Sequence, residues 1–269
     1  MPELPEVETV ARDLRGLLRG QSIGNVEVYW ERSIATPSPG EFCAGLRGRQ
    51  ILAVGRRGKF IILHLDQGDL LVHLGMTGQL LVEQIGETSD RRHIRVALHL
   101  EGKCLLFNDT RKFGRMYLVP EADVVVGGLG PEPLESGFTS ERLAACVRGR
   151  RGAIKSLLLN QGVIAGIGNI YADEALHAAQ IAPHRRACTL SQAEIAALHA
   201  AIRSELQRGI RNRGTTFSSY RDAKGHEGGN REHLRVYGRA GEACLRCGAE
   251  IIRSRIGGRS SFHCPCCQT

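Results

Sequence analysis

The stretch Gly127-Gly-Leu-Gly-Pro-Glu-Pro-Leu-Glu-Ser-Gly137 divides the sequence into two parts of different character. Glycine and proline interrupt regular secondary structure, and their density here is typical of a linker between domains. A chain of 269 residues is long enough for about two domains, which agrees with a boundary at this point. The fold class therefore follows from what lies on each side of it.

Upstream of the linker, the sequence predicts one helix followed by many short strands. Apolar residues between Pro5 and Arg19 recur at helical spacing, and Gly20 follows as a stop signal. The predicted strands cover residues 23–29, 50–56, 60–65, 70–73, 79–82, 94–100, 103–107 and 115–119. Regularly spaced short strands with glycine between them indicate a sandwich or a barrel.

Downstream of the linker, the periodicity changes to that of helices. The predicted helices cover residues 140–148, 154–159, 169–178 and 191–211, and a glycine-rich polar segment, 214–230, is expected to be a mobile loop. We therefore expect an α+β protein with a β-rich domain at 1–127, a linker at 128–138, a helical domain at 139–236 and a separate tail at 237–269.

The charge of the protein is concentrated in its second half. Residues 1–140 carry a net charge of −2 and residues 141–269 one of +10, within a total of +8. Such a basic half predicts an anionic partner, and its arginines can form two hydrogen bonds to one phosphate. The N-terminus lacks a signal peptide and no run of 18 apolar residues occurs, so we expect a cytoplasmic protein without a membrane partner.

Five of the nine cysteines lie in the last 26 residues. Cys244 and Cys247 form one C-x2-C pair, Cys264 and Cys267 form another, and 16 residues separate the pairs. This spacing predicts one tetrahedral Zn²⁺ site, which is structural because four thiolates leave no open position. Cys266 is expected to lie outside the site because it does not have the two-residue spacing. The tail is too short for its own core, so the metal must organise it.

Between the cysteine pairs, Arg253, Arg255 and Arg259 lie in a segment that predicts a hairpin with arginines near its tip. One interpretation is that these side chains contact phosphate. The alternative is a solvated basic loop without a ligand.

The N-terminus contains a second feature with chemical potential. If Met1 is removed, Pro2 becomes a free secondary amine beside Glu3. With a pKa of ~8, roughly a tenth of such amines are unprotonated at pH 7, and an unprotonated amine is a Schiff-base nucleophile. The alternative is that proline and the acids simply begin a helix, where both are common.

The opening Met-Pro-Glu-Leu-Pro-Glu-Val-Glu-Thr resembles that of the bacterial formamidopyrimidine-DNA glycosylases, and the resemblance extends over essentially the whole chain. Further matching segments occur in the family's order: 58–60, 73–78, 108–114, 129–134, 154–161, 166–175 and 236–239. The resemblance implies an N-terminal β-sandwich with a leading helix, a helix-two-turn-helix domain that binds DNA and a β-hairpin zinc finger.

The resemblance also implies an activity, the excision of oxidised purines from damaged double-stranded DNA by a monomer, followed by cleavage of the strand. Pro2 then attacks C1′ of the damaged nucleotide, and Glu3 handles protons at the sugar. Lys59 assists elimination of the 3′ phosphate, and Arg259 holds the phosphate beside the lesion.

Further residues match positions at which the family contacts DNA. Met76, Arg111 and Phe113 fill the space that a flipped nucleotide leaves. The remaining matches are His73, His93, Arg151, Lys155 and Asn169. Taken without the resemblance, Met76 and Phe113 would be core residues, and the two histidines would be ordinary hydrogen-bonded side chains at the ends of strands.

One segment departs from the family. Its lesion-covering loop usually begins Gly-Gly-Thr-Thr-Leu, whereas this chain has Arg213-Gly-Thr-Thr-Phe-Ser-Ser219, so no contact of that loop is transferred. Two other functions remain open. One is an endonuclease VIII-like glycosylase that prefers oxidised pyrimidines, and the other is a zinc protein that binds damaged DNA without catalysis.

Overall fold

The computed structural model describes residues 1–84 and 91–269, which form two compact units. The first unit contains residues 1–128 and 212–231, and the second contains residues 129–211 and 232–269.

The first unit contains most of the strands. Its elements are α1 (Leu4–Leu18), β1 (Val26–Val28), β2 (Ile34–Thr36), α2 (Pro39–Leu46), β3 (Ile51–Arg57), β4 (Phe60–Leu65), β5 (Asp69–His73), β6 (Gln79–Gln84), β7 (Ile94–Leu100), β8 (Lys103–Asn108), β9 (Arg115–Val119) and α3 (Asp123–Val126). They build a four-stranded sheet in the order β1-β7-β8-β6 and a five-stranded sheet in the order β2-β9-β5-β4-β3. All neighbouring strands are antiparallel except β2 and β9.

One hydrophobic core joins both sheets and α1. Val7, Val10 and Leu14 of α1 are 1% exposed or less, and they share a cluster with Leu63 of β4 and Phe107 of β8. Burying a side chain of this size contributes about 1.5–3 kcal/mol, so this apolar stripe is enough to fix α1 on the sandwich. The predicted sandwich with a leading helix is confirmed.

The structure contains elements that the sequence analysis did not predict. The helix α2 begins with a capping box, in which Ser38 accepts a hydrogen bond from Glu41 N and the Glu41 carboxylate accepts one from Ser38 N. Proline and glycine in its first turn concealed this signal. The strand β2 has three residues and pairs with the distant β9, so local periodicity could not reveal it.

The segment 212–231, which includes the predicted loop 214–230, lies in a different unit from the one expected. We assigned it to the helical domain as a mobile loop, but in the structure it packs with residues 1–128. Tyr220 and Ala223 join the core of the sandwich, and Val82 N donates a hydrogen bond to the carbonyl of Ala223. Arg213 forms ion pairs with Asp13 and the buried Asp222. Buried apolar and charged contacts therefore hold a segment whose composition alone suggests disorder.

The second unit consists of helices and a hairpin. Its elements are α4 (Ser140–Val147), α5 (Ile154–Leu158), α6 (Asn169–Ala178), α7 (Gln192–Arg211), β10 (Ile252–Ile256) and β11 (Arg259–His263). A short 3-10 turn lies at Ala187–Thr189, and another lies at Arg91–His93 in the first unit. β10 and β11 are antiparallel, and Ile256 pairs with Arg259. Gly257 and Gly258, with φ of 55° and 78°, form the two-residue turn between them. Glycine suits this turn because both positions require positive φ.

Membrane-crossing helices are not found among residues 1–84 and 91–269, because none of the helices there has the necessary length and apolar character.

Candidate active site and nucleic-acid interface

The N-terminus of α1 is buried and held by one carboxylate. Pro2 is buried, Glu3 is 3% exposed, and Glu3 N donates a 2.8 Å hydrogen bond to Glu6 Oε2. The other oxygen of Glu6 accepts a 2.7 Å hydrogen bond from Thr215 N. Glu6 thus fixes the backbone at the proposed nucleophile and the segment 212–231 at the same time.

Lys59 lies in the two-residue turn between β3 and β4 and is 6% exposed. Gly58, with φ of 55°, occupies the first position of this turn. Arg56 donates through Nη1 to the carbonyl of Gly58 at 3.0 Å and through Nε to Glu8 Oε2 at 2.9 Å. Glu8 belongs to α1, so Glu8 and Arg56 together connect this helix to the turn that carries Lys59.

His73 lies at the end of β5, opposite Phe60 of β4, and the two rings are 4.9 Å apart. Burial, and then the positive charge of Lys59, lowers the pKa of His73 to about 4. Its Nδ1 accepts a hydrogen bond from Gly75 N at 3.2 Å, so the neutral ring carries its proton on Nε2. The imidazole is therefore a neutral donor near an amine.

Met76 and Phe113 are not core residues, since they are 40% and 50% exposed. Met76 lies in the turn after β5, and Arg111 and Phe113 lie in the turn before β9, where the guanidinium of Arg111 stacks 4.8 Å from the ring of Phe113. A Cβ on Gly75 would lie 2.7 Å from Gly114 N, so the two turns touch. Two apolar side chains are therefore exposed on adjacent turns, as insertion into a stack of bases would require.

Asp109 organises both turns, although the sequence analysis did not select it. It is 1% exposed and accepts hydrogen bonds from Thr77 Oγ1 at 2.5 Å, Arg111 N at 3.2 Å and Gly114 N at 2.8 Å. His93, half-buried, accepts through its carbonyl from Asp109 N. The sequence did contain a signal for Asp109, because an acid immediately before a polar turn commonly accepts hydrogen bonds from the backbone of that turn.

The residue between Arg111 and Phe113 is in an uncommon conformation. Lys112 has φ of 61°, which for a residue other than glycine is costly. Its Nζ lies 3.8 Å from the centre of the Trp30 ring, and Arg115 Nη1 donates to its carbonyl at 3.0 Å. A cation–π contact and a hydrogen bond thus stabilise the strained residue of this turn.

In the second unit, Lys155 is completely buried. Its Nζ lies 2.7 Å from Asp173 Oδ1 and donates to the carbonyl of Ser260 at 2.8 Å. Asp173 also accepts hydrogen bonds from Ser261 Oγ and Phe262 N, while burial raises its pKa to about 6 against the opposing charge of Lys155. The geometry makes Lys155 a support for β11 rather than a surface cation.

Asn169 contacts the hairpin of β10 and β11, and Arg259 is part of that hairpin. Asn169, the first residue of α6, donates through Nδ2 to the carbonyl of Ser260 at 3.0 Å, and its buried Oδ1 has no hydrogen-bond partner among the described residues. Arg259 is exposed at the start of β11. Arg151 is exposed just before α5, and a Cβ on Gly257 would lie 2.8 Å from Ser156 Oγ of that helix. The hairpin tip, with Arg259, therefore rests against α5.

Glu174 connects α6 to the segment before the cysteines. Its carboxylate is fully buried and accepts hydrogen bonds from Arg235 N, Val236 N and Tyr237 N at 2.9–3.0 Å, beside an ion pair with Arg208. Neither Asp173 nor Glu174 was predicted as a site residue from the sequence. Two adjacent acids in an apolar helix were a usable signal, because charges are rarely buried unless they are paired.

The four predicted zinc ligands converge. The sulfurs of Cys244, Cys247, Cys264 and Cys267 all lie within 4.8 Å of one another, and two of the pairs are 3.5 and 3.9 Å apart. A tetrahedron with zinc–sulfur bonds of ~2.3 Å has edges of about 3.8 Å, so the cluster is close to the size that a zinc ion requires. Cys266 is exposed and outside the cluster, as predicted.

Comparisons with known proteins agree along the chain. Family models match the formamidopyrimidine-DNA glycosylase N-terminal domain at residues 1–116, the H2TH domain of the same enzymes at 129–221, and the zinc finger found in FPG and IleRS at 241–269. The formamidopyrimidine-DNA glycosylase of Pelotomaculum thermopropionicum is 50% identical, covering 100% of this chain and 99% of its own length. That of Chloroflexus aurantiacus is 48% identical, with 100% and 98% covered.

Solved structures of the same enzymes superpose closely. The MutM (FPG) protein of Thermus thermophilus gives a TM-score of 0.90 at 40% identity, with 99% of this chain and 98% of that chain covered. A Lactococcus lactis FPG mutant in complex with DNA containing Fapy-dG gives 0.93 at 34% identity, with both chains fully covered. The fold, the converging cysteines and these likenesses over the full length lead to one conclusion: the chain belongs to the formamidopyrimidine-DNA glycosylase family.

Proposed function

We propose that this protein removes oxidised purines, namely 8-oxoguanine and formamidopyrimidines, from duplex DNA and then cleaves the strand at the abasic site, as a base-excision repair enzyme. The observation that carries the proposal is the buried start of α1, where Glu6 holds the backbone of Glu3 and Glu8–Arg56 connects the helix to the turn of Lys59. Schiff-base formation followed by elimination requires an amine that is held in position and a second cationic group nearby.

The first step is an attack on the sugar. Once Met1 is removed, the Pro2 nitrogen forms a bond to C1′ as the bond from C1′ to the damaged base breaks. The base leaves with a proton, and the sugar ring opens as O4′ gains one, with Glu3 as the group that transfers protons. The product is an iminium ion between Pro2 and C1′, the Schiff base.

The iminium ion makes elimination possible because it acidifies the C2′ proton. Loss of that proton breaks the C3′–O3′ bond, and a second elimination breaks C5′–O5′, which leaves a gap of one nucleoside. Lys59 assists the departure of the 3′ phosphate, and Arg259 holds the phosphate beside the lesion.

Recognition of the duplex requires the damaged nucleotide to leave the stack. Met76, Arg111 and Phe113 then fill the vacated space, with Arg111 facing the base opposite. We propose that His73, His93, Arg151 and Asn169 contact the DNA, whereas Lys155 acts through the hairpin that it supports. The relatives solved with DNA containing Fapy-dG or an abasic site favour this interpretation.

We further propose that the protein acts as a monomer in the bacterial cytoplasm on nucleoid DNA. One structural zinc holds the C-terminal hairpin in place. The proposed site residues are thus distributed over 1–127, the helical region within 139–236 and the zinc finger at 237–269.

Borohydride trapping on an 8-oxoguanine duplex, followed by mapping of the cross-linked residue, tests the proposal. We expect the adduct on Pro2. Pro2→Gly is expected to reduce base release sharply, whereas Lys59→Ala is expected to leave trapping at an abasic site intact while slowing turnover. An adduct on Lys59, or normal trapping by a protein with a blocked N-terminus, contradicts the proposed nucleophile. No trapping at all favours a protein that binds damage without catalysis.

The lesion class is tested by comparing duplexes that contain 8-oxoguanine or an oxidised pyrimidine. A Lactococcus lactis relative has been crystallised with DNA containing an oxidised pyrimidine, so both substrates need measurement. We expect the purine to be excised with the higher kcat/KM. A preference for the pyrimidine supports an endonuclease VIII-like specificity instead.

A further inference from the structure

One face of α6 makes three successive contacts with the C-terminal zinc finger. Asn169, Asp173 and His177 are spaced by four residues and therefore lie on the same side of the helix. Asn169 contacts the carbonyl of Ser260, and Asp173 accepts hydrogen bonds from Ser261 and Phe262. The third member, His177, is 1% exposed, and its Nε2 lies 3.5 Å from Cys244 Sγ.

We propose that His177 is a positioning residue for the zinc centre, in which its neutral imidazole donates an Nε2–H hydrogen bond to the thiolate of Cys244. The proposal rests on zinc binding by the four cysteines and does not depend on glycosylase activity. Through Cys244, this hydrogen bond connects the zinc centre to α6, the helix that also carries Asn169.

The surroundings of the ring determine which nitrogen carries the proton. His177 Nδ1 is buried and has no hydrogen-bond partner among the described residues. A buried N–H without an acceptor is rarer in proteins than a buried acceptor without a donor. The proton therefore belongs on Nε2, where the sulfur of Cys244 accepts it.

The thiolates need such donors because four negative sulfurs surround one divalent ion. Within the zinc finger itself, Arg246 N donates to Cys244 Sγ at 3.4 Å and Cys267 N donates to Cys264 Sγ at 3.3 Å. His177 differs from these donors because it belongs to α6. Groups that hydrogen-bond to metal ligands orient them and tune the affinity for the metal, so the loss of His177 is expected to weaken zinc binding.

Zinc release to a chromogenic chelator tests the proposal on the full-length, zinc-loaded protein. His177→Phe preserves the ring but removes the donor, and we expect release at least about tenfold faster than in the wild type. His177→Gln restores an N–H donor of similar reach, so its rate of zinc release is expected to lie much closer to that of the wild type than to that of His177→Phe. Release at the wild-type rate from His177→Phe overturns the proposal, as does equally fast release from both variants.

His199→Phe is the matched control. His199 is another histidine of the second unit, its Nε2 contacts the carbonyl of Phe138 at 2.6 Å, and no hydrogen bond connects it to the cysteine cluster. We expect its zinc release to match the wild type. Equal acceleration in this variant overturns a specific role for His177.

A measurement on the unmodified sequence avoids any variant that fails to fold. In protein loaded with ¹¹³Cd and labelled with ¹⁵N, we expect the proton of His177 on Nε2 and a scalar coupling between that proton and the metal through Cys244. A proton on Nδ1, or an Nε2 proton without this coupling, overturns the proposal.

Discussion

At the scale of single residues, burial decides which of the proposed site residues are accessible to DNA and which can only support the others. Met76 and Phe113 are apolar yet exposed, whereas Lys155 is charged yet completely buried. Composition and spacing cannot distinguish these cases, because a sequence does not reveal which side of a turn faces the solvent. The resemblance indicated the residues, and the structure shows which of them are exposed and which are buried.

Arg111→Ala is expected to reduce discrimination between bases opposite the lesion more than it reduces cleavage at an abasic site. A specific side-chain contact to a base is worth about 1–3 kcal/mol, which corresponds to roughly 5- to 150-fold in the ratio of kcat/KM values. The measurement is single-turnover excision with each of the four opposite bases. Arg19→Ala, at an exposed position after α1, is the control. Equal losses on both substrates would contradict the assigned role.

His73 is expected to remain neutral down to about pH 4, which NMR titration of its ring measures directly. Because its pKa is lower in the fold than in the unfolded chain, the stability due to the neutral ring is fully present above pH ~6.5 and is lost as the pH falls towards 4. His73→Asn retains an acceptor for Gly75 N and is expected to be less acid-sensitive by on the order of 2 kcal/mol. An identical pH dependence of unfolding in both proteins would refute this expectation.

At the scale of elements, the local periodicity of the sequence predicted most of the helices and strands. The strands β3–β9 and the helices α1 and α4–α7 match the predicted ranges closely. The short helices α2 and α3 were not predicted, and the remaining failures depend on distant partners. β2 forms only against β9, and Thr215 is held by Glu6, 209 residues earlier. Local signals do not encode such pairings, so the anchored state of residues 212–231 could not be predicted.

Two cations at the hairpin of β10 and β11 can be compared, namely the buried Lys155, which supports the hairpin, and the exposed Arg259, which we propose contacts phosphate. Arg259→Ala is expected to weaken DNA binding and to reduce the slope of log K against log salt by about one, because it removes a phosphate contact. Lys155→Met removes a buried charge from Asp173 and is expected to destabilise the protein by about 3–5 kcal/mol while leaving the salt slope unchanged.

Fluorescence anisotropy over a range of salt concentrations measures both slopes, and denaturant unfolding measures both stabilities. The reverse pattern, with a smaller slope for Lys155→Met and unaltered stability, would make Lys155 a direct phosphate ligand.

At the scale of the whole molecule, the first unit and the zinc finger at the end of the second unit differ in what stabilises them. The first unit has a large apolar core, whereas the small apolar cluster around Val236 and Ile251 at the zinc finger includes Cys244 and Cys264 themselves. The C-terminal region therefore relies on its metal for stability. The shortness of the C-terminal tail predicted that the tail depends on zinc for its stability. The contacts between the tail and α6 of the helical region were not predicted.

Removal of zinc with a chelator is expected to abolish DNA binding while the first unit stays folded, because the metal contributes folding energy mainly to its own module. Hydrogen exchange followed by mass spectrometry measures this, with retained protection expected in β3–β5 and lost protection in β10–β11. Re-addition of zinc is the control and is expected to restore binding. Loss of protection throughout the chain would show that the metal stabilises the whole protein.

The contact between Lys112 and Trp30 gives the protein an internal optical probe. Trp30 is the single tryptophan of the sequence, and the ammonium group above its indole belongs to the turn between Arg111 and Phe113. Any displacement of that turn changes the electric field at the indole ring and hence its emission. Insertion of the turn into a duplex is therefore expected to be visible in stopped-flow fluorescence without a label, and Lys112→Gln is expected to diminish the signal.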